Sequence, residues 1–307
     1  MTLGRVGIPR ETALRLARSL SLLFVLVCAA GACSLVVDTT GLSGATTDTD
    51  ASVPDAATDA AADTAAADAT ADAAADAPVD ATADGSPPGC TSSAGPVMTR
   101  ADTFCIDTTE VTNGQYKQFL LAKNGDTTGQ PSYCAWNTTY ALKCSEPVPD
   151  DNAPVVCVNW CDARAYCAFA GKRLCGRVGG GAGNVGELTN ASNDQWYRAC
   201  SLAGTQTYPY GSTYEPVCND LGHGTGAPVP VGSLAACVGG YPGLFDMSGN
   251  VVEWVDVCTA TTGAMDNCYI RGSAFDDDGA GSPCTAASTQ LRNSADDTKG
   301  FRCCSSP

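Results

Sequence analysis

Apolar positions along this chain come in short, interrupted stretches. Between Thr112 and Leu121, Tyr116 and Phe119 share one face of a helical repeat, and Thr112 stands in capping-box spacing to Gln115, so a helix is predicted there. A second helix is predicted over Trp160 to Ala170. Asn159 would cap its start and Gly171 its end, and Trp160, Ala163, Cys167 and Ala170 form one stripe. A third, near Asp194 to Leu202, carries Trp196, Ala199 and Cys200. Short apolar runs at Val155–Val158, Val251–Val255 and Cys268–Arg271 predict strands. The 33 glycines and 17 prolines predict a loop-rich molecule, and no internal repeat is visible. Pattern alone gives a mixed, disulfide-rich class.

The N-terminal third follows other rules. Arg5, Arg10, Arg15 and Arg18 precede an apolar run from Leu20 to Ala30, which is short for a membrane span. Residues 1–33 therefore read as an export signal. Its end, Ala30-Gly31-Ala32-Cys33, fits a signal-peptidase site, and it fits a lipobox with Cys33 as the lipidated residue; the lipobox is the preferred reading. Residues 34–89 are rich in Ala, Asp and Thr. Asp55, Asp59 and Asp63, then Asp68, Asp72, Asp76, Asp80 and Asp84, recur every four or five residues. Like charges at that spacing oppose a helix, and little here is large enough to bury, so a self-repelling spacer is expected. It supplies most of the net charge of −16. That sign argues against nucleic acid as a partner.

Residues 90–307 are left as one domain with a real core. They hold sixteen of the 18 cysteines: Cys90, Cys105, Cys134, Cys144, Cys157, Cys161, Cys167, Cys175, Cys200, Cys218, Cys237, Cys258, Cys268, Cys284, Cys303 and Cys304. An even set behind an export signal reads as a disulfide framework. Cys303 and Cys304 should have different partners. Zinc is disfavoured, because there is no C-x-x-C pair and His223 is the sole histidine. The run Cys175-Gly176-Arg177-Val178-Gly179-Gly180-Gly181 reads as a surface insert, or as a backbone cradle for an anion.

The most informative stretch is Gly243-Leu244-Phe245-Asp246-Met247-Ser248-Gly249-Asn250-Val251-Val252-Glu253-Trp254. Asp246 and Glu253 bracket a turn through Gly249 and Asn250. Two carboxylates and freed carbonyls suit a hard cation such as calcium; a polar turn entering a strand is the plain alternative. The stretch closely resembles the G-L-Y-D-M-x-G-N-V-W-E-W signature of the formylglycine-generating enzyme (sulfatase-modifying factor) family. Four further pieces match in order: Ile106-Asp107-Thr108-Thr109-Glu110-Val111-Thr112-Asn113, Pro154 to Ala163, Gly171-Lys172-Arg173-Leu174, and Gly300-Phe301-Arg302-Cys303. The resemblance implies an irregular, loop-rich α+β fold related to C-type lectins. Between Leu174 and Gln195 the chain departs from the family's pattern.

Chemistry is where the resemblance thins. Family members that oxidise cysteine to formylglycine hold copper between two thiolates in G-G-S-x-x-C-x-x-x-x-C. Here Arg271-Gly272-Ser273 is followed by Asp276 and Gly281 at the two cysteine positions. Cys284 is nearby but alone, and a cuprous site needs soft sulfur donors. A second branch uses histidine-bound iron, which one histidine cannot build. The calcium ligands carried over by position are Asp246 and Glu253 by side chain and Gly249 and Val251 by carbonyl. A second site would begin at Asn219 and Asp220, without a clear later acid. The expectation is an envelope lipoprotein, membrane-bound through Cys33, whose domain binds a protein or glycan ligand or serves structure. The rival is an active oxidase with Cys284 in a rearranged copper site.

Overall fold

The computed structural model describes residues 87–144 and 150–307. The signal with Cys33, and the spacer as far as residue 86, lie outside those residues. Three helices form where the polar–apolar pattern put them. Helix α1 spans Asn113–Lys123. Thr112 Oγ1 accepts the Gln115 N–H at 3.2 Å and Gln115 Oε1 accepts the Thr112 N–H at 2.9 Å. The helix ends at Asn124 in the left-handed region (φ 45°). Helix α2, Trp160–Phe169, opens with the same reciprocal arrangement between Asn159 and Asp162. Helix α3 is shorter than expected, Gln195–Cys200, capped by Asp194 accepting from the Tyr197 N–H at 2.7 Å.

The described residues also form ten short strands: β1 Met98–Ala101, β2 Phe104–Asp107, β3 Arg173–Leu174, β4 Val238–Gly239, β5 Leu244–Phe245, β6 Val252–Cys258, β7 Asn267–Arg271, β8 Ala287–Leu291, β9 Lys299–Phe301 and β10 Cys303–Ser305. One sheet has the order β1-β2-β10-β3 and a second β8-β7-β6-β9, while β4 and β5 pair alone. Residues 299–305 thus serve both large sheets. β9 runs parallel to β6, and β10 lies antiparallel between β2 and β3. The expected strands at 251–255 and 268–271 are β6 and β7. The expected strand Val155–Val158 does not form. Cys157 takes a positive φ of 65°, which breaks an extended ladder, and the segment is buried as a loop. Its amides go instead to Val111 O (from Val155) and Asp296 O (from Cys157), both at 2.8 Å.

The main core gathers Tyr116, Phe119, Tyr140, Tyr166 and Phe301 between α1, α2 and β9. Two tryptophans lock α2 to β6 through carbonyls. Trp160 Nε1 donates to Val255 O at 2.8 Å, and Trp254 Nε1 donates to Val158 O at 3.0 Å. Eight disulfides use all sixteen cysteines from Cys90 onward: 90–105, 134–161, 144–157, 167–303, 175–304, 200–284, 218–237 and 258–268. Cys303 reaches back to α2 and Cys304 to the residue after β3, so the neighbours have separate partners. Such a framework belongs to an oxidising compartment. Among the described residues no helix is long and apolar enough to cross a membrane.

Candidate functional site

Four of the five sequence pieces that resembled the family meet in a cluster around one buried guanidinium. Arg302, between β9 and β10, is 1% exposed. Its Nε donates to both oxygens of Glu253 at 2.8 and 2.9 Å. Nη1 donates to Asp107 O at 3.1 Å, and Nη2 to Phe245 O at 2.9 Å and Asp246 O at 3.2 Å. Trp196 Nε1, from α3, completes the Glu253 carboxylate at 2.8 Å. Beside it, Lys172 Nζ pairs with Asp107 Oδ1 at 2.5 Å and donates to Pro96 O at 2.9 Å. Asp107 Oδ2 accepts the Cys303 N–H at 2.9 Å. Burial pushes the Asp107 carboxyl up to about 6, against the pull of Lys172.

The turn that precedes β6 is conformationally demanding. Asp246, Gly249 and Asn250 all take positive φ, of 57°, 85° and 65°. Asp and Asn tolerate that region better than other residues with a Cβ. Gly249 has a second constraint: a Cβ there would lie 2.7 Å from Asn219 O. Asn250 ties the turn to its surroundings. Its amide donates to Asn219 O at 2.6 Å, and its Oδ1 accepts from Asn219 Nδ2 and from the Val229 N–H.

The expected calcium residues are therefore divided. Asp246 Oδ2 accepts the Gly232 N–H at 2.6 Å, and its charge acts on the nearby Glu110 carboxyl. Glu253 turns to Arg302 and Trp196, which occupy both its oxygens. It does not fit as an ion ligand in this arrangement, because a guanidinium already neutralises it. Glu110, in the loop after β2, was not among the expected ligands. It is fully buried, and neither of its oxygens receives an N–H or O–H from another group. Burial, with the Asp246 charge added, drives its carboxyl well above the ordinary range. Burial also raises Asp246, to about 6. Burial and mutual repulsion favour the protonated form of both carboxyls, against the pull of Arg302 on each. In charge and donor type, Glu110 and Asp246 fit a hard divalent ion. Among the described residues, no group of three acidic, histidine or cysteine side chains is arranged to hold a metal.

The second expected site is satisfied from within its own loop. Asn219 Oδ1 accepts the Thr225 hydroxyl, and Asn219 Nδ2 donates to Ala227 O at 2.9 Å. Asp220 accepts from the Tyr214 hydroxyl and from the His223 N–H at 3.0 Å.

At the copper positions, Asp276 is exposed and Gly281 closes a single 3-10 turn, Gly279–Gly281. Cys284 is buried and bonded to Cys200. Copper does not fit: one position offers a hard carboxylate, one no side chain, and the nearby sulfur is a disulfide half. The glycine-rich run 176–181 folds back on itself, with Arg177 N–H donating to Gly181 O at 2.9 Å and Gly180 N–H to Arg177 O at 2.9 Å. Gly176 N–H donates to Gln195 Oε1 at 3.1 Å and Val178 N–H to Asn193 O at 2.7 Å, so these four amides are taken by the protein itself.

These features define a disulfide-rich α+β domain whose polar core is built on one arginine and whose thiols are all oxidised among the described residues. The sulfatase-modifying factor enzyme 1-like domain matches residues 78–307, and the chain belongs to this formylglycine-generating-enzyme–sulfatase family. It is 33% identical over 172 residues to "Inactive C-alpha-formylglycine-generating enzyme 2" of Mus musculus, covering 50% of this chain and 49% of that protein. The Bos taurus protein of the same name matches at 33% over 171 residues, 50% of each. The chain spans about half the length of these curated relatives. Among solved structures, PvdO from Pseudomonas aeruginosa is similar at 20% identity and a TM-score of 0.47, over 66% of this chain and 80% of that one.

Proposed function

We propose that this chain is an exported, lipid-anchored envelope protein whose sulfatase-modifying-factor-type domain performs no copper oxidation and acts by binding or as structure. One observation carries the reading: the two positions for copper thiolates are Asp276 and Gly281, and Cys284 is bonded to Cys200. Formylglycine formation needs a pair of free thiols to hold cuprous ion, and no rotation of Asp276 supplies one. Relatives whose names carry the word "inactive" are in keeping with this. The export signal and Cys33 support the anchored location, and the eight disulfides suit it.

Calcium enters the same reading as a structural ion. Asp246, with Glu110 in place of Glu253, would hold it, and its charge would let both carboxyls ionise. An ion bound only by the folded state stabilises that state. The deciding test is catalytic. The purified protein is incubated with copper, oxygen and a peptide carrying a sulfatase cysteine motif, and aldehyde is sought by mass spectrometry. None is expected. Copper-dependent aldehyde that disappears in Cys284→Ser would replace this reading with the oxidase.

A further inference from the structure

Few cations in this domain are idle. Among the described residues, ten of the thirteen lysines and arginines hold a carboxylate, a carbonyl or an amide oxygen at hydrogen-bond or ion-pair distance. Lys123, Arg164 and Arg177 are the three that do not. Two of these, Lys123 from the last turn of α1 and Arg164 from α2, line one groove of about 170 Å³. Both residues are half-buried. Tyr140, Ala165, Ala168 and Phe169 give the groove an apolar wall, and the loop 128–130 completes the lining. The carboxylates nearby are engaged elsewhere. Asp126 accepts the Thr128 N–H at 2.8 Å, and Asp162 pairs with Lys143. Asp256 is drawn by Arg164, Arg173 and Arg292 together, with none of them at ion-pair distance.

We propose that this groove binds a phosphate monoester, with two of its oxygens in the Arg164 fork, a third on Lys123, and its ester carbons along Tyr140 and Phe169. Charge, shape and size select that occupant. Two positive side chains held in one small cavity repel each other until an anion lies between them. A phosphate monoester carries about −1.5 to −2 near pH 7, which matches the pair, whereas a carboxylate or a sulfate ester carries a single charge. A guanidinium takes two oxygens in one plane, and an ammonium is a point charge. A carboxylate spends both oxygens on the fork; a tetrahedral phosphate keeps one for the lysine arriving from the other helix. The cavity is smaller than drug-sized clefts, about 300–1,000 Å³, so it suits a headgroup with a few carbons. The inference deepens the binding role proposed above. It is tested apart from the copper assay: aldehyde there would end the non-catalytic reading without deciding this one.

The experiment uses the full chain and a matched set of probes: phenyl phosphate, phenyl sulfate, benzoate and inorganic phosphate, titrated by calorimetry at low salt. Phenyl phosphate should bind with a Kd on the order of 1 mM and weaken as salt is added. Inorganic phosphate should bind less well, because it leaves the wall uncovered. Lys123→Met and Arg164→Met should each weaken phenyl phosphate by about tenfold. Arg164→Lys keeps the charge without the fork and should fall between Arg164→Met and wild type. Arg177→Met removes the third partnerless cation, which does not line the groove, and should bind as wild type does. If Arg164→Met melts early, Lys123→Met decides alone. A second arm offers phosphatidic acid, the same monoester on a lipid, in phosphatidylcholine vesicles. Binding of phenyl phosphate without the vesicles assigns a soluble ester; vesicle binding lost in the same variants assigns a lipid headgroup; either supports the site. The proposal falls if neither arm shows binding at roughly 50 mM phosphate ester, or if the folded groove variants bind as wild type does. It falls equally if Arg177→Met weakens binding as much as they do, or if benzoate, phenyl sulfate or inorganic phosphate binds as well as the ester.

Discussion

Removing the Arg302 guanidinium should be the most damaging single change in the polar core. Arg302→Met keeps much of the stem and deletes five donors. Glu253 then retains only Trp196, and the carbonyls of Asp107, Phe245 and Asp246 each lose a partner. Breaking a buried ion pair from one side costs about 3–5 kcal/mol, because the remaining charge is stranded. Orphaned carbonyls cost about 1–3 kcal/mol each when nothing replaces the donor, but these losses overlap and small shifts let some find new donors. The sum should stay near the upper part of the ion-pair range. For a domain of this size 1 kcal/mol moves Tm by about 2–4 °C, so a fall of roughly 6–20 °C is expected. Circular dichroism melts with disulfides intact provide the measurement. The double variant Arg302→Met with Glu253→Met removes both charges together and should recover part of the loss. A single variant within about 2 °C of wild type would refute the view that this guanidinium organises the core.

Gly249→Ala forces a Cβ to 2.7 Å from Asn219 O at a φ of 85°, and should cost about 1–3 kcal/mol; an unchanged melt would show that the turn relaxes freely. Asp266 gives an acid signature. Burial raises its carboxyl, but N–H donors from Gly263 and Thr262, the Thr262 hydroxyl and Arg292 outweigh burial and hold it at about 2. Its stabilisation is complete above the unfolded value near 4 and is lost as pH falls from there to about 2. Asp266→Asn should flatten the stability profile in that window only; an identical acid limb would contradict the assignment. Calcium should raise the wild-type melt and leave Glu110→Gln or Asp246→Asn unmoved; equal responses in chelator and calcium would leave Glu110 and Asp246 as buried carboxyls without an ion.

Local signals were legible where the chemistry was local. The Thr112–Gln115 capping box, the Asn159 cap and the β6 and β7 runs can be read directly, because a cap spans four residues and a buried strand declares itself by apolar content; the reciprocal bond from Asp162 appears only in the structure. Val155–Val158 misled for the same reason: its burial is real, but Cys157 at positive φ and a disulfide to Cys144 make it a loop. β1, β8 and β10 carry little apolar alternation and form because their partners are already in place. The site was half legible. Asp246 and Glu253 stand out in sequence, but their separation into different environments depends on Arg302, 49 residues beyond Glu253. Glu110 was hidden within a motif whose other acid, Asp107, pairs with Lys172. Only burial without a donor marks it, and that is a property of the fold.

The chain's closing strands have a consequence for biosynthesis. Residues 299–305 bring β9, β10, the guanidinium and two cysteines whose partners lie 136 and 129 residues earlier. A ribosome delivers them after nearly everything they bind. Until then β6 lacks its parallel neighbour, β2 and β3 have no strand between them, and Glu253 has no counter-charge. The nascent domain therefore waits unfinished for its last segment, and Cys167 and Cys175 wait as thiols open to wrong partners. Disulfide isomerisation would be most needed in that interval.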